Sequence, residues 1–548
     1  MIDRLLGIPY FFSMRIFFLL LLLPTLCFSQ PVLSQGRIRP LPVYADQWLY
    51  SIYNNDTIRR EHQDKLPFPI KSSEELLWTL TVMGHKPWDS FPLFYIKKRE
   101  TKETLGLNPK STHFSYHELK GVVPDDMKDL LYHLMEYEKF GYINQDPNVP
   151  LAQSSYGIRL LPSRKDLGTW LPINTLLITQ NNLTPYSEEF WDNIQKQYQE
   201  LQTAMPTDYQ QAVKIENSIS TLLGNNYQTI AGKPYRRGVH NQLYLPTELQ
   251  LKTEVLYFQV PWIEITLFLY GLSLLLLYRS KWGMVPLVCA FLIHTTLLGM
   301  RCFILGRPPV SNMFETVMYV PWIAMLLGFV LWGFLKQRGL LLASATIALI
   351  FLFLLKLTHP RHEMENVQAV LNSQYWLIIH VLMVVGSYGA FMLSGILSHY
   401  YLIRRLFHPP SQEKKWILQS LYIGVALLIT GTILGGVWAA QSWGRFWDWD
   451  PKESWAFISS CLYLIVIHAY RFGKIGDIGL AIGSIIGLQA ITFTWYGVNY
   501  ILGVGLHSYG FGNGGELIYA VFIAFEIIFI SLMLFFHKKT PKITQNPL

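Results

Sequence analysis

The stretch WAAQSWGRFWDWDPKESW, Trp438 to Trp455, holds five tryptophans, two aspartates, a glutamate, an arginine and a lysine in eighteen residues. Its flanks are apolar, SLYIGVALLITGTILGGV before and AFISSCLYLIVIHAY after. A helix needs about 20 apolar residues to cross a bilayer. The flanks therefore read as two membrane spans, and the tryptophan stretch as the loop between them.

Working outward, apolar runs of this kind recur from Phe258 to Phe536. They give nine spanning candidates, at about 258–278, 284–304, 315–335, 340–358, 376–402, 416–437, 455–470, 477–500 and 516–536. Before them, residues 30–255 scatter Lys, Glu, Asp, Asn and Pro and read as water-exposed. The segments YSEEFWDNIQKQYQELQTAM and DYQQAVKIENSISTLL carry apolar residues at three- and four-residue steps and predict helices. The fold class expected is a polytopic α-helical membrane protein of about nine spans, preceded by a mainly α soluble extracytoplasmic domain. The expected divisions are 1–29, 30–255, 256–536 and a tail at 537–548.

Charge fixes an orientation. Arg4 and Arg15, then IFFLLLLLPTLCF, then SQPVLSQ have the order of a secretory signal, with cleavage after Ser29, or of an uncleaved anchor. Residues 30–255 are then exported and the first span runs inward. The inner turns receive Arg279 and Lys281; Lys336 and Arg338; Arg404, Arg405, Lys414 and Lys415; Arg471 and Lys474; and the tail HKKTPK. Each holds at least two basic residues, as the positive-inside rule demands. The formal net charge of +8 thus reflects membrane orientation and not nucleic-acid binding. The cytoplasmic (inner) membrane is the expected location, with the tryptophan stretch on its periplasmic side.

Cysteine usage excludes two classes. The four cysteines are Cys27, Cys289, Cys302 and Cys461, and neither CxxC nor CxxCH occurs. The chain is not itself a thiol oxidoreductase or a c-type cytochrome. His113 and His117 lie four apart with no evident third ligand and read as a surface pair.

An aromatic belt accounts for one or two tryptophans per helix end. Five exceed it. Trp438, Trp443, Trp447, Trp449 and Trp455 suit a platform for a large planar apolar ligand, with Gly444 allowing close approach. Arg445 and Lys452 suit ligand carboxylates, or pair with Asp448, Asp450 and Glu453 inside the loop. A flat ring with carboxylates at one edge describes haem. Quinone fits the flatness and not the charges. Haem iron takes histidine most often. The outer positions offer His359, His362, His380 and His507, and spacing alone does not choose among the first three. His468 lies thirteen residues past Trp455, roughly 20 Å deeper along a helix. His294 sits within the second span. Each reads either as a second iron site or as a helix–helix hydrogen bond.

GGVWAAQSWGRFWDWDPKESWAF resembles the tryptophan-rich signature of the haem-handling superfamily that includes CcsA (ResC-like), CcmC and CcmF proteins. SQYWLIIHVLMVVGSYGAF, LYLIVIHAYR and LGVGLHSYGFG resemble CcsA. GRIRPLPVYADQWL is similar to an exported segment of extended CcsA proteins. The resemblance implies cytochrome c biogenesis: haem carried to the outer face and presented for thioether attachment to the CxxCH of apocytochrome c. It implies haem b as substrate and bound ligand, His380 and His507 as the external iron pair, and His468 as a membrane iron ligand. It implies a component of a cytochrome c synthase (haem lyase-type), partnered by a CcsB/ResB-like membrane protein, apocytochrome c and thiol-reducing maturation proteins. No CcsB-like half is evident in this chain, so the fourth histidine comes from that partner or from His294. Asp450 is a candidate to orient the loop or an imidazole. Two other readings stand beside this one: a haem exporter without ligation activity, and a quinone-linked subunit with b-type haems.

Overall fold

The computed structural model describes residues 30–34, 37–143, 156–164, 167, 169–177, 184–237, 241–358, 364, 376–408, 412–505 and 516–539. Residues 1–29, expected to be a signal or an anchor, and His359, His362 and His507 lie outside the described residues. The chain divides into two compact units, Met1–Gln259 and Val260–Leu548.

The first unit is mainly helical, with short antiparallel hairpins between the helices. Pro31–Ser34 pairs with Arg37–Pro40, Phe94–Tyr95 with His113–Phe114, and Arg159–Pro162 with Trp170–Pro172. The two helices expected from periodicity are present as Glu188–Ala204 and Tyr209–Tyr227. Each starts where a side chain satisfies an open backbone donor: Ser187 accepts from the Phe190 amide and Asp208 from the Gln211 amide. Their apolar faces close on one core that includes Trp78, Trp88, Trp170 and Trp191, all fully buried. Arg37 and Glu254 form an ion pair that ties the first hairpin to helix Glu248–Gln259.

The histidine pair differs from the surface pair expected. His113 sits in a buried strand, its Nε2 donating to the Tyr53 carbonyl at 3.0 Å, while His117 is exposed on helix Tyr116–Leu119. Loss of water pushes the His113 imidazole down to about 4, so it stays neutral. The strand, invisible to a count of residues between histidines, turns the first ring inward.

The second unit is a helical bundle. Among the described residues nine helices are long and apolar enough to cross a membrane: Trp262–Arg279, Lys281–Leu305, Met313–Leu335, Arg338–Thr358, Ile379–Arg405, Glu413–Trp443, Pro451–Arg471, Asp477–Leu502 and Glu516–Lys538. The chain is thus a polytopic α-helical membrane protein with a mainly helical first unit. The sixth and seventh spans reach further into the tryptophan stretch than hydropathy suggested. Only residues 444–450 are non-helical, so Trp438 and Trp443 end one helix and Trp455 stands in the first two turns of the next.

Several polar side chains inside the bundle find partners within it, because hydrocarbon offers none. Ser394 and Ser484 bond across the fifth and eighth spans at 2.6 Å, and Ser459 and Thr494 across the seventh and eighth at 3.0 Å. His399 bridges the fifth span to the ninth: its Nδ1 donates to the Gly395 carbonyl at 2.8 Å and its Nε2 meets Glu526 Oε2 at 2.9 Å. Phe529 covers the imidazole at 4.5 Å between ring centroids.

One cluster in the first unit is set against ionisation. Glu74 is pushed up to about 7, first by burial and then by Asp46 and Glu75, and burial raises Glu216 beside them. A carboxyl whose folded value lies above its unfolded one binds more protons when folded. Stability is therefore fullest below about pH 4.5 and falls as pH rises to about 7, by up to about 3 kcal/mol for Glu74. Amide hydrogen exchange on the full-length protein should show helix Ser73–Met83 opening more readily at neutral pH than at pH 5 (corrected for intrinsic rates), and Glu74→Gln should flatten that dependence.

Candidate functional site

The sixth span carries TGTILGGVW, and its glycines decide what lies beside it. His380 stands in a single wide helical turn, Leu377–Val381, at the start of the fifth span. Its ring lies against the sixth-span backbone: a Cβ at Gly435 would fall 2.4 Å from His380 Cε1, a distance real atoms do not adopt. The close approach lets His380 Nδ1 donate to the Gly431 carbonyl at 2.7 Å. That bond fixes the tautomer, so Nε2 carries the lone pair. The Trp438 ring, nearly buried, lies 5.9 Å from the imidazole.

His380, Trp438 and Trp447 line one cavity with a void of about 1060 Å³, part of it open to solvent. Its other walls are Val381, Val384, Val385 and Tyr388 of the fifth span, Thr494, Trp495 and Asn499 of the eighth, and residues 310–313 with Thr316. The eighth span widens here as well, in Phe493–Leu502. Extra-wide helical turns concentrate at functional sites, because they turn side chains off the ordinary helical register.

The wall at 310–316 is anchored by a buried triad. Glu315 accepts from Arg301 Nε at 3.0 Å and Arg307 Nη1 at 2.9 Å, and the Ser311 amide donates to the same carboxylate at 2.8 Å. Arg301 and Glu315 are wholly buried, and Arg301 stacks 4.7 Å over Phe314. Removing the carboxylate would leave two guanidinium groups to desolvate, a cost of about 3–5 kcal/mol. Sequence reading singled out none of these three residues. The closely spaced Arg301, Arg307 and Glu315 were the available signal.

The other tryptophans divide. Trp443 packs on Trp438 with centroids 6.2 Å apart, and Trp455 packs on Phe493 at 4.2 Å. Trp449 is 72% exposed, 6.0 Å from Trp447, and holds φ of 58°, a left-handed backbone that costs a tryptophan energy. The Trp447 indole N–H is buried and has no hydrogen-bond partner among the described residues. Gly444 ends the sixth span at φ of 72°, its N–H on the Ala440 carbonyl. Its use is this left-handed cap, since a Cβ there would meet nothing within 4 Å.

The loop charges largely pair among themselves. Arg445 meets Asp448 at 2.6 Å, and Glu453 accepts from the Asp448 amide at 2.9 Å. Asp450 caps the seventh span, accepting from the Lys452 amide at 2.8 Å. The Gly505 backbone, two residues before His507, crowds the same carboxylate: a Cβ on Gly505 would lie 2.2 Å from Asp450 Oδ2.

The two deeper histidines part company. His294 is wholly buried, its Nε2 donating to the Met318 carbonyl at 3.0 Å and its Nδ1 3.4 Å from the Tyr270 hydroxyl. His468 lies exposed on the bundle surface, Nδ1 donating to the Leu464 carbonyl at 2.7 Å, its ring parallel to Phe472. Its Nε2 then bears the lone pair.

Residues 310–507 match the family model described as cytochrome C assembly protein. The chain is 31% identical over 297 residues to the cytochrome c biogenesis protein CcsA of Ranunculus macranthus, covering 92% of that protein and 45% of this chain. This chain belongs to the CcsA cytochrome c biogenesis family. CcsA of Capsella bursa-pastoris is 28% identical over 308 residues, with 93% of it and 45% of this chain covered. Protein NrfI of Wolinella succinogenes is 33% identical over 315 residues, 52% of this chain, and the chain spans about a third (34%) of NrfI's length. The work of this CcsA-type membrane unit is cytochrome c biogenesis, which implies the handling of haem.

The glycine at 435 makes a geometric demand. Gly435→Ala should cost about 1–3 kcal/mol, as overpacking does, and lower the unfolding temperature of the detergent-solubilised protein. Adding His380→Ala should recover most of that loss, because the clash is with the ring. Two losses that simply add would contradict the contact.

Proposed function

We propose that the chain carries haem to the outer face of the cytoplasmic membrane and presents it for thioether attachment to the CxxCH of apocytochrome c. The observation that carries this reading is the His380 imidazole: its Nδ1 is held by Gly431, and its ring lines a cavity walled in part by indoles. The residues present suit haem b as cargo. A largely apolar cavity suits the macrocycle, an imidazole suits iron, and an indole N–H without an acceptor among the described residues suits a carboxylate.

His380 and His507 are assigned as the external iron pair, with Trp438, Trp443, Trp447, Trp449 and Trp455 as the ledge and its supports. Gly444 and Asp450 shape the loop, and Arg445 braces it through Asp448. Imidazoles on both faces of the iron exclude oxygen and favour the ferrous state. The thiols of the apocytochrome add across the vinyl groups, and the incoming CxxCH histidine replaces one protein imidazole. Holding the two reactants in place is the main catalytic contribution, as in a cytochrome c synthase of the haem lyase type. Thiol-reducing maturation proteins keep those cysteines available.

His468 is assigned to a second iron site, deeper in the membrane. Its position on the bundle surface supports a ligand supplied by a separate CcsB/ResB-like chain, because a ring facing outward is open to a neighbour. His294 is assigned as a tie between helices, both its nitrogens being engaged within the bundle. The first unit, read as the exported domain 30–255, docks apocytochrome or that partner. The basic inner turns support this sidedness, with 537–548 in the cytoplasm.

His380→Ala and His507→Ala should each lower the haem retained on purification by on the order of tenfold, with partial recovery in exogenous imidazole. Each should abolish maturation of a co-expressed apocytochrome in a host lacking its own system. Wild-type spectra and maturation in both variants would remove the ligand assignment. Retained haem reducible by quinol would favour the quinone-linked reading instead, and export without ligation would reduce the role to that of a haem exporter.

A further inference from the structure

The sequence offered two cations, Arg445 and Lys452, for a ligand's carboxylates, and the structure separates them. Arg445 closes on Asp448 in the exposed loop and is not part of the cavity wall. Lys452 lines the cavity. Its ammonium donates to two neutral oxygens, Asn499 Oδ1 at 2.5 Å and the Trp495 carbonyl at 3.3 Å. An ammonium has three donors, so one remains after these two. Among the described residues no carboxylate oxygen comes within ion-pair distance of it.

The surroundings favour an anion there. Lys452 sits in the first turn of the seventh span, where the helix end adds partial positive charge. The one acidic residue among the described cavity walls, Glu453, accepts from the Asp448 amide. Asp450 is turned to the Lys452 amide and to Gly505. Trp447 lines the same cavity, and its buried indole N–H has no acceptor among the described residues. One ammonium and one indole donor, neither bonded to a carboxylate among the described residues, match a ligand that brings its own.

Resting on the haem reading above, we propose that Lys452 is the carboxylate anchor of this cavity: its ammonium takes a haem propionate while Trp495 and Asn499 hold its side chain in place. The ring is then fixed by two unlike contacts, iron at His380 and carboxylate at Lys452. Together they choose one edge of an otherwise nearly symmetric disc. Arg445 braces the loop and contributes no such contact.

The test compares haem with its dimethyl ester, whose propionates cannot ionise. Both are titrated into the detergent-solubilised full-length protein and followed by quenching of tryptophan fluorescence. The wild type should bind haem more tightly than the diester. Lys452→Met should weaken haem binding by about tenfold to a hundredfold, the range of a charge-assisted hydrogen bond, and leave diester binding within about twofold. Lys452→Arg should keep the preference for haem, and Asn499→Ala should lower it in the same direction as Lys452→Met but by less. Equal losses for both porphyrins in Lys452→Met would overturn the proposal, making Lys452 a structural latch and leaving the haem reading intact. If Lys452→Met does not fold, loss of the preference in well-folded Lys452→Gln carries the same weight, and an unchanged preference overturns the anchor. A wild type that binds neither porphyrin removes the anchor and the haem reading together.

Discussion

The hydrogen bond from His380 Nδ1 to the Gly431 carbonyl depends on a helix surface with no side chains in the way. A β-carbon at Gly435 would occupy the space of the imidazole. Because the ring lies against backbone, the fifth and sixth spans approach closely, and His380 and Gly435 line the same cavity. The bond also removes one of two possible tautomers. A ring free to choose would present the lone pair only part of the time. Ring position, tautomer and cavity shape thus follow from small residues one helical turn apart.

The remaining walls show how a membrane protein builds a polar site without water. The 310–316 wall hangs on a carboxylate between two guanidinium groups, an arrangement that is expensive to desolvate and therefore held in one geometry. The seventh span enters through Pro451 after an Asp450 cap, so the tryptophan loop is kept to a few residues and its indoles keep fixed places. The eighth span widens where it meets them, which brings Asn499 and the Trp495 carbonyl to Lys452. The seventh and eighth spans thus converge on one residue of the signature.

Much of this was legible in the sequence because hydropathy and indole density are long signals. Apolar runs marked the nine spans to within a few residues, and the cluster at 438–455 marked the site. What the sequence could not carry was which way each side chain turns. Trp449 and Trp438 look equivalent in a string, yet one is mostly solvent-exposed and the other nearly buried. Arg445 and Lys452 look like one pair of cations, yet a turn of loop gives the first a carboxylate and a turn of helix takes the second away from one. Gly435 drew no notice, because its importance lies in a ring 55 residues earlier. His294 and His468 were both intramembrane histidines on paper. Only packing showed one tied inside the bundle and the other facing out.

The contact between His399 and Glu526 has a consequence for the last span. With Nδ1 committed to the Gly395 carbonyl, the hydrogen bond between Nε2 and the Glu526 carboxyl needs one proton, bonded to one partner or the other. An imidazolium beside a carboxylate and a neutral ring beside a carboxylic acid have the same total charge: none. The hydrocarbon around the ninth helix therefore meets no net charge wherever that proton rests. The fastening joins two ionisable groups and behaves electrically as though it joined none.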